Sequence, residues 1–367
     1  MLSAATSAGR NALALGAGRR AIPSLDGLRA LSITLVLLGH SALRTGFDAG
    51  PIDPGAWAEL GVSVFFVISG FLITRLLLAE MAAGGGIRLG RFYRRRALRI
   101  FPALYVYLAA LGLLWAAGWL PEHRGSFIAA ASYTWNYYPH AQGWYLNHIW
   151  SLCLEEQFYL LWPLCLALSG RRRGAWLAAT AVALCPLSRV ATYFLWPSMH
   201  AHNDTMLHTR IDTILFGCLL ALVWDTDRFQ GVLRRHARRS RILTAVALLG
   251  VASPWAASRF HGAYMDPLGY SLEAALIAFV VAGAVLRPET WCGRALNSRL
   301  LRHLGVISYS LYLWQQLFLG PRWHALPWAL LLALGAAEAS YFLVERPVLR
   351  WRDRGRGLPP PARAPAY

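Results

Sequence analysis

Apolar residues in this chain gather into runs of about helix length, each closed by a short polar stretch. Ten such runs stand out, near 30–47, 60–79, 100–120, 148–168, 175–196, 209–225, 242–257, 269–286, 304–320 and 326–345. Crossing a hydrocarbon core of about 30 Å takes roughly 20 apolar residues in an α-helix. The pattern therefore predicts an all-α fold, a polytopic membrane helix bundle of about ten transmembrane helices. The first run, Ala30-Leu-Ser-Ile-Thr-Leu-Val-Leu-Leu-Gly-His40, is unusual in holding a histidine, and Arg29 stands directly before it. At 1.5 Å per residue the eleven-residue step from Arg29 carries His40 roughly 16 Å deeper, about half of the core. An ionisable group at such a depth is expensive and usually faces a bundle interior or a wet cavity. Histidine is also the side chain best suited to proton transfer near neutral pH. The plainer alternative is a histidine that only bonds a neighbouring helix.

Composition agrees with the pattern. With 56% hydrophobic residues, 15% charged residues and a mean hydropathy of +0.39, the chain reads as a membrane protein. A net charge of +18 would suit a nucleic-acid partner, but its placement argues against one. All basic residues are arginine. If the N-terminus is cytoplasmic and ten spans alternate, 30 arginines fall on the cytoplasmic side and six outside: Arg44, Arg124, Arg189, Arg210, Arg259 and Arg322. That asymmetry is the positive-inside rule and predicts both termini in the cytoplasm. The five cysteines form no CxxC pair and none lies in an outer loop, so neither a disulfide frame nor a metal site is expected. Three regions follow: a cytoplasmic N-terminal tail over 1–21, a membrane domain over 22–350 with nothing fused to it, and a Pro-rich, disordered cytoplasmic tail over 351–367. Removing the first run as a signal peptide would discard His40, so a cleaved leader is not expected.

Several polar groups could carry chemistry. In Arg91-Phe-Tyr-Arg-Arg-Arg-Ala-Leu-Arg99, Arg95 and Arg99 share a helix face at i, i+4, with Arg96 to one side. A guanidinium fork suits phosphate, and it equally suits topology anchoring against anionic headgroups. The stretch Trp150-Ser151-Leu-Cys-Leu-Glu155-Glu156-Gln157 brings two carboxylates into an apolar run. Each must be paired, protonated or wet; one could fix the tautomer of His40, pair with Arg210, or form a structural salt bridge. Arg210 and Asp212 are two apart and so meet different partners. Ser69 and Gly70 read as close packing between helices. Aromatic and amide residues in the outer stretches 133–144 and 200–204 fit either a sugar-like acceptor or an interfacial belt.

In order and spacing these pieces resemble the integral membrane acyltransferase-3 family of O-antigen, exopolysaccharide and macrolide acylases. The resemblance runs from about Ile22 to Pro347. It rests on Leu25-Asp26-Gly-Leu-Arg29 with His40, Phe65-Phe-Val-Ile-Ser-Gly-Phe71, Arg95-Arg96-Ala-Leu-Arg99, Trp150 to Tyr159, Arg210-Ile-Asp212, Ser308-Tyr-Ser-Leu-Tyr-Leu-Trp314 and Glu345-Arg-Pro347. It implies transfer of an acyl group, often acetyl, from cytoplasmic acyl-CoA as co-substrate, with no bound cofactor, to a hydroxyl of a glycan, lipid-linked sugar or secondary metabolite. It also implies a place in a bacterial inner membrane. His40 would be the catalytic histidine, Arg29 its motif partner and Glu156 the carboxylate of the site. Arg95, Arg96 and Arg99 would meet the donor's phosphates, with Asp26, Ser151, Glu155, Arg210 and Asp212 in support. Two departures are visible: many members carry an acid where Ser63 stands and a histidine where Gln315 stands. The rival class is a proton-coupled transporter or flippase using His40, Glu156 and Asp212 as a relay. Consumption of acetyl-CoA by membranes separates the two.

Overall fold

The structure, a computed structural model, describes residues 22–140, 143–322 and 326–354. Helix is the dominant element, and no strand occurs among the described residues. The helices that matter for the site are α1 (Pro23–Thr45), α2 (Pro54–Glu80), α3 (Leu89–Ala116), α4 (Ile149–Leu195), α5 (Leu207–Val223), α6 (Tyr270–Leu286), α7 (Arg299–Phe318) and α8 (Leu326–Ser340). All ten predicted runs fall on helical segments. Among the described residues five helical stretches are long and apolar enough to cross a membrane, or six if the bent pair Leu207–Val223 and Asp227–His236 is one span. The difference from ten has physical causes. Runs 148–168 and 175–196 lie in one stretch, Trp144–Leu195, bent where Gly170 leaves helical geometry at φ 71°. Runs 242–257 and 269–286 likewise share Arg239–Leu286, bent at Phe260. In α1 the polar groups Arg29, His40 and Arg44 dilute the hydropathy of a 23-residue helix. The tail over 1–21 lies outside the described residues, as does 355–367. Residues 351–354 continue a helix, Arg346–Arg354, where a disordered tail was expected.

Local chemistry explains where α1 and α2 begin and end. Pro23 sits in the first turn of α1, where its missing N–H costs nothing, and Asp26 there complements the positive helix end. The helix thus starts seven residues before the apolar run and takes in Arg29. It stops at Gly46, whose φ of 64° is left-handed and whose N–H caps the Ala42 carbonyl. His40 therefore lies about three quarters of the way along α1, five residues short of Thr45. Asp53 then caps α2 by accepting from the Gly55 N–H at 2.8 Å, with Pro54 in the first turn.

The chain divides into two compact units. One takes the chain up to Ile87 together with Trp150–Val306; the other takes Arg88–Ile149 and the chain from Ile307 onward. In the first unit, glycines let backbones touch. A Cβ on Gly39 would meet the Pro54 carbonyl oxygen at 2.6 Å, one on Gly70 the Ile214 oxygen at 2.0 Å, and one on Gly217 the Val67 oxygen at 2.0 Å. These contacts hold α2 against α1 on one side and α5 on the other, over a core that includes Val67, Phe71, Ala221, Trp224, Ile277 and Val281. The predicted close approach at Gly70 is present. We expect Gly217→Ala to cost about 1–3 kcal/mol, because a backbone oxygen cannot yield as a flexible side chain does. Gly335→Ala, on the exposed side of α8 with nothing within 4 Å, is the neutral control. A lower midpoint in a detergent thermal-unfolding series for the first variant alone checks this.

In the second unit α3 contacts the helical segment from Tyr341 to Arg354. The Tyr309 hydroxyl donates to the Ile100 carbonyl at 2.8 Å. Ser310 Oγ donates to Ser340 Oγ at 3.0 Å and also to a Glu345 carboxylate oxygen. The two C-terminal sequence motifs are thus parts of one hydrogen-bonded cluster.

Candidate active site

Arg29 and Asp26 form an ion pair at 3.4 Å across one turn of α1, each partly exposed. His40, eleven residues along the same helix, is half-buried. Its helix packs on α2, where the Ser32 hydroxyl donates to the Gly61 carbonyl.

The carboxylate stretch on α4 separates into two roles. Glu155 accepts from the Tyr159 hydroxyl at 2.8 Å, and Tyr159 is in turn hydrogen-bonded to Ser69 of α2. Ser69 is therefore a polar link as well as a packing residue, which its small size alone did not reveal. Glu156 is half-buried on a different side of α4, and Ser151 is buried.

Arg210 and Asp212 do meet different partners. The Arg210 guanidinium lies 3.4 Å from the centre of the Tyr270 ring, and its Nη2 donates to Ser63 Oγ at 3.0 Å. Its Nε and Nη1 have no hydrogen-bond partner among the described residues, although the side chain is buried. Position 63 supplies a hydroxyl here, and the carboxylate of α2 within electrostatic reach of Arg210 is Glu59, one turn earlier. The Tyr270 hydroxyl points to Glu59 at 3.5 Å. Asp212 instead pairs with Arg189, at 3.0 and 3.1 Å to its two oxygens, with both side chains at 0% exposure. Arg189 also donates to the carbonyls of Asp266 at 2.6 Å and Thr209 at 2.7 Å, and to Ser271 Oγ at 3.0 Å. Asn203 of the 200–204 stretch donates to the Arg189 carbonyl.

Arg189 was counted among outer-loop arginines and Glu59 was passed over. The signal for Arg189 was present: it is a lone charge within an apolar run. For Glu59 only its four-residue step to Ser63 marks it. Neither signal names a partner.

Arg95, Arg96 and Arg99 are half-buried on α3, whereas Arg91 and Arg94 are exposed. The helix begins at Leu89, so Arg95 and Arg99 stay one turn apart on one face. No acid offsets the positive end of this helix in its first turn, and the end adds to the arginines' attraction for anions. Arg96 lies 5.9 Å from the Phe92 ring, and Arg99 is within electrostatic reach of Tyr341 and Glu345. In the loop after α3, burial pushes the Glu122 carboxyl up to about 7, while the Tyr145 N–H it accepts pulls the other way. Gln315 is fully buried and bonds Gln316, which in turn accepts from and donates to Trp144. This position completes an interior network.

The described residues thus hold a buried guanidinium–carboxylate pair, a helix that carries both an arginine and a histidine, and, in the other unit, an arginine cluster at a positive helix end. The acyltransferase domain family matches residues 22–337, and the chain belongs to it. Among similar curated proteins, the peptidoglycan O-acetyltransferase OatA of Listeria monocytogenes is 29% identical over 322 residues, covering 81% of this chain and 49% of its own length. A putative peptidoglycan O-acetyltransferase, YrhL, of Bacillus subtilis is 29% identical over 366 residues, with 90% and 55% covered. A putative O-acetyltransferase of Staphylococcus aureus is 30% identical over 322 residues, with 80% and 50% covered. The chain thus spans about half the length of these relatives. No solved structure matches it.

Proposed function

We propose that this protein transfers an acetyl group from cytoplasmic acetyl-CoA to a hydroxyl of an envelope glycan, with peptidoglycan the first acceptor to try. The observation that carries the reading is the unbroken helix α1, which bears both Arg29 and His40 in a chain of the acyltransferase family. His40 acts as general base: its neutral imidazole takes the proton from the acceptor hydroxyl as that oxygen attacks the thioester carbonyl. The carbon–sulfur bond then breaks, and the imidazolium returns the proton to the departing thiolate. An acyl-histidine relay is the variant in which the ring nitrogen itself takes the acetyl group before the acceptor does. Arg95, Arg96 and Arg99 bind the donor's phosphates, an assignment supported by their shared helix and its positive end. Glu156 orients the histidine or the acceptor, and Arg29, with Asp26, anchors the other end of the motif. The arginine asymmetry supports a bacterial inner-membrane setting with both termini in the cytoplasm.

Radiolabelled acetyl-CoA supplied to inverted membrane vesicles tests the reading. Label should move to glycan only when the protein is present; free label or labelled lipid alone would overturn the glycan acceptor. Replacing Arg95 and Arg96 together with Gln should raise the donor KM by about tenfold or more and change the acceptor KM little. An unchanged donor KM would remove the phosphate contact.

A further inference from the structure

In the first unit, the loop between α1 and α2 and the helix Ser253–Tyr264 enclose a cleft of about 470 Å³. That lies within the range of roughly 300–1,000 Å³ typical of small-molecule sites. Its walls are joined by the Asp53 N–H, which donates to Ser258 Oγ at 2.6 Å. Phe47 and Trp255 present exposed rings to it, and Asp48, Asp53 and Arg259 surround them with exposed charges. The two carboxylates are held in place from below. Asp48 accepts from the Gly50 N–H at 2.7 Å and Asp53 from the Gly55 N–H at 2.8 Å, each through one oxygen of an exposed carboxylate. Phe47 lies two residues past Thr45, the last residue of the helix that carries His40.

Aromatic faces flanked by fixed carboxylates and a guanidinium match a pyranose ring. The apolar C–H face stacks on an indole while ring hydroxyls donate to carboxylates and accept from arginine. With two acids against one arginine, the cleft favours an uncharged sugar over a polyanion. A tryptophan that only anchored the protein at the membrane interface would face headgroups and would not need this ring of charges. We propose that this cleft is the acceptor subsite, binding one or two residues of an uncharged glycan with Trp255 as the stacking platform. The assignment rests on the reading of the protein as a glycan acetyltransferase.

The test uses the full chain in detergent and tetra-N-acetylchitotetraose as probe, with binding read by thermophoresis and acetyl transfer to the same oligomer followed in membranes. The wild type should bind saturably in the millimolar range or tighter. Trp255→Ala should weaken binding and raise the acceptor KM by about tenfold, and Arg259→Ala should act in the same direction. Trp328→Ala, an exposed tryptophan of the second unit, should change neither. Absence of saturable binding by the wild type, or an unchanged dissociation constant in Trp255→Ala, overturns the cleft, even if that variant accumulates poorly. Cleft-dependent binding without transfer of label to any glycan would instead overturn the acetyltransferase reading and leave the subsite standing.

Discussion

Replacing His40 with Ala is expected to lower acetyl transfer by at least about 100-fold while protein level and thermal midpoint stay at wild-type values. The size follows from the role. General base catalysis contributes roughly 10²–10⁴ in rate, and a covalent relay would lose more, because no other group would carry the acetyl. The stability part follows from geometry: His40 is half-buried, five residues from the end of α1, and the packing that holds that helix lies at Gly39, Ser32 and Gly61. Removing the ring leaves these contacts in place. The check is transfer rate per mole of protein in vesicles, beside a detergent melt of both proteins. Activity within a few-fold of wild type would sink the base and the relay together. Acid quench of a single turnover, with label trapped on the wild-type chain and absent from the variant, would select the relay.

The second large effect is expected on folding. Asp212→Asn should destabilise the protein by about 3–5 kcal/mol, because it leaves the Arg189 guanidinium buried without its counter-charge. Every nitrogen of that guanidinium is committed, to Asp212, Ser271 and two backbone carbonyls, and neither member of the pair reaches solvent. A loss of that size is a large fraction of the roughly 5–15 kcal/mol that keeps an ordinary domain folded. The variant should therefore accumulate poorly and melt early. Replacing both members, Arg189→Met with Asp212→Leu, should recover much of the loss, since apolar residues of similar volume often substitute well for a buried pair. Measured per folded molecule, the double variant should retain acetyl transfer. A folded, inactive double variant would assign Asp212 to the chemistry instead.

These two residues show how differently the chain discloses itself. His40 was legible because a membrane run tolerates few ionisable groups, so a histidine there announces itself. The separation of Arg210 from Asp212 was legible too, because helix geometry forces it at a spacing of two. The partners were not legible. Nothing local says that Asp212 meets Arg189, that Tyr159 meets Ser69, or that Glu59 approaches Arg210. Each of those contacts joins different helices, and pairing between helices depends on how they pack. The start of α1 was missed by seven residues, because a proline and an aspartate start a helix as effectively as an apolar run sustains one.

By itself the sequence determined the helical class, the membrane setting, the family motifs and the residues that carry charge in apolar surroundings. These follow from composition and period, which act locally and survive any arrangement of the helices. Only the tertiary structure decided which buried charges are mutually neutralised, where runs merge into bent helices, and where a cleft opens beside the end of α1. Those outcomes depend on close approach between backbones, at Gly39, Gly70 and Gly217, and a glycine discloses that it can be approached without disclosing by what.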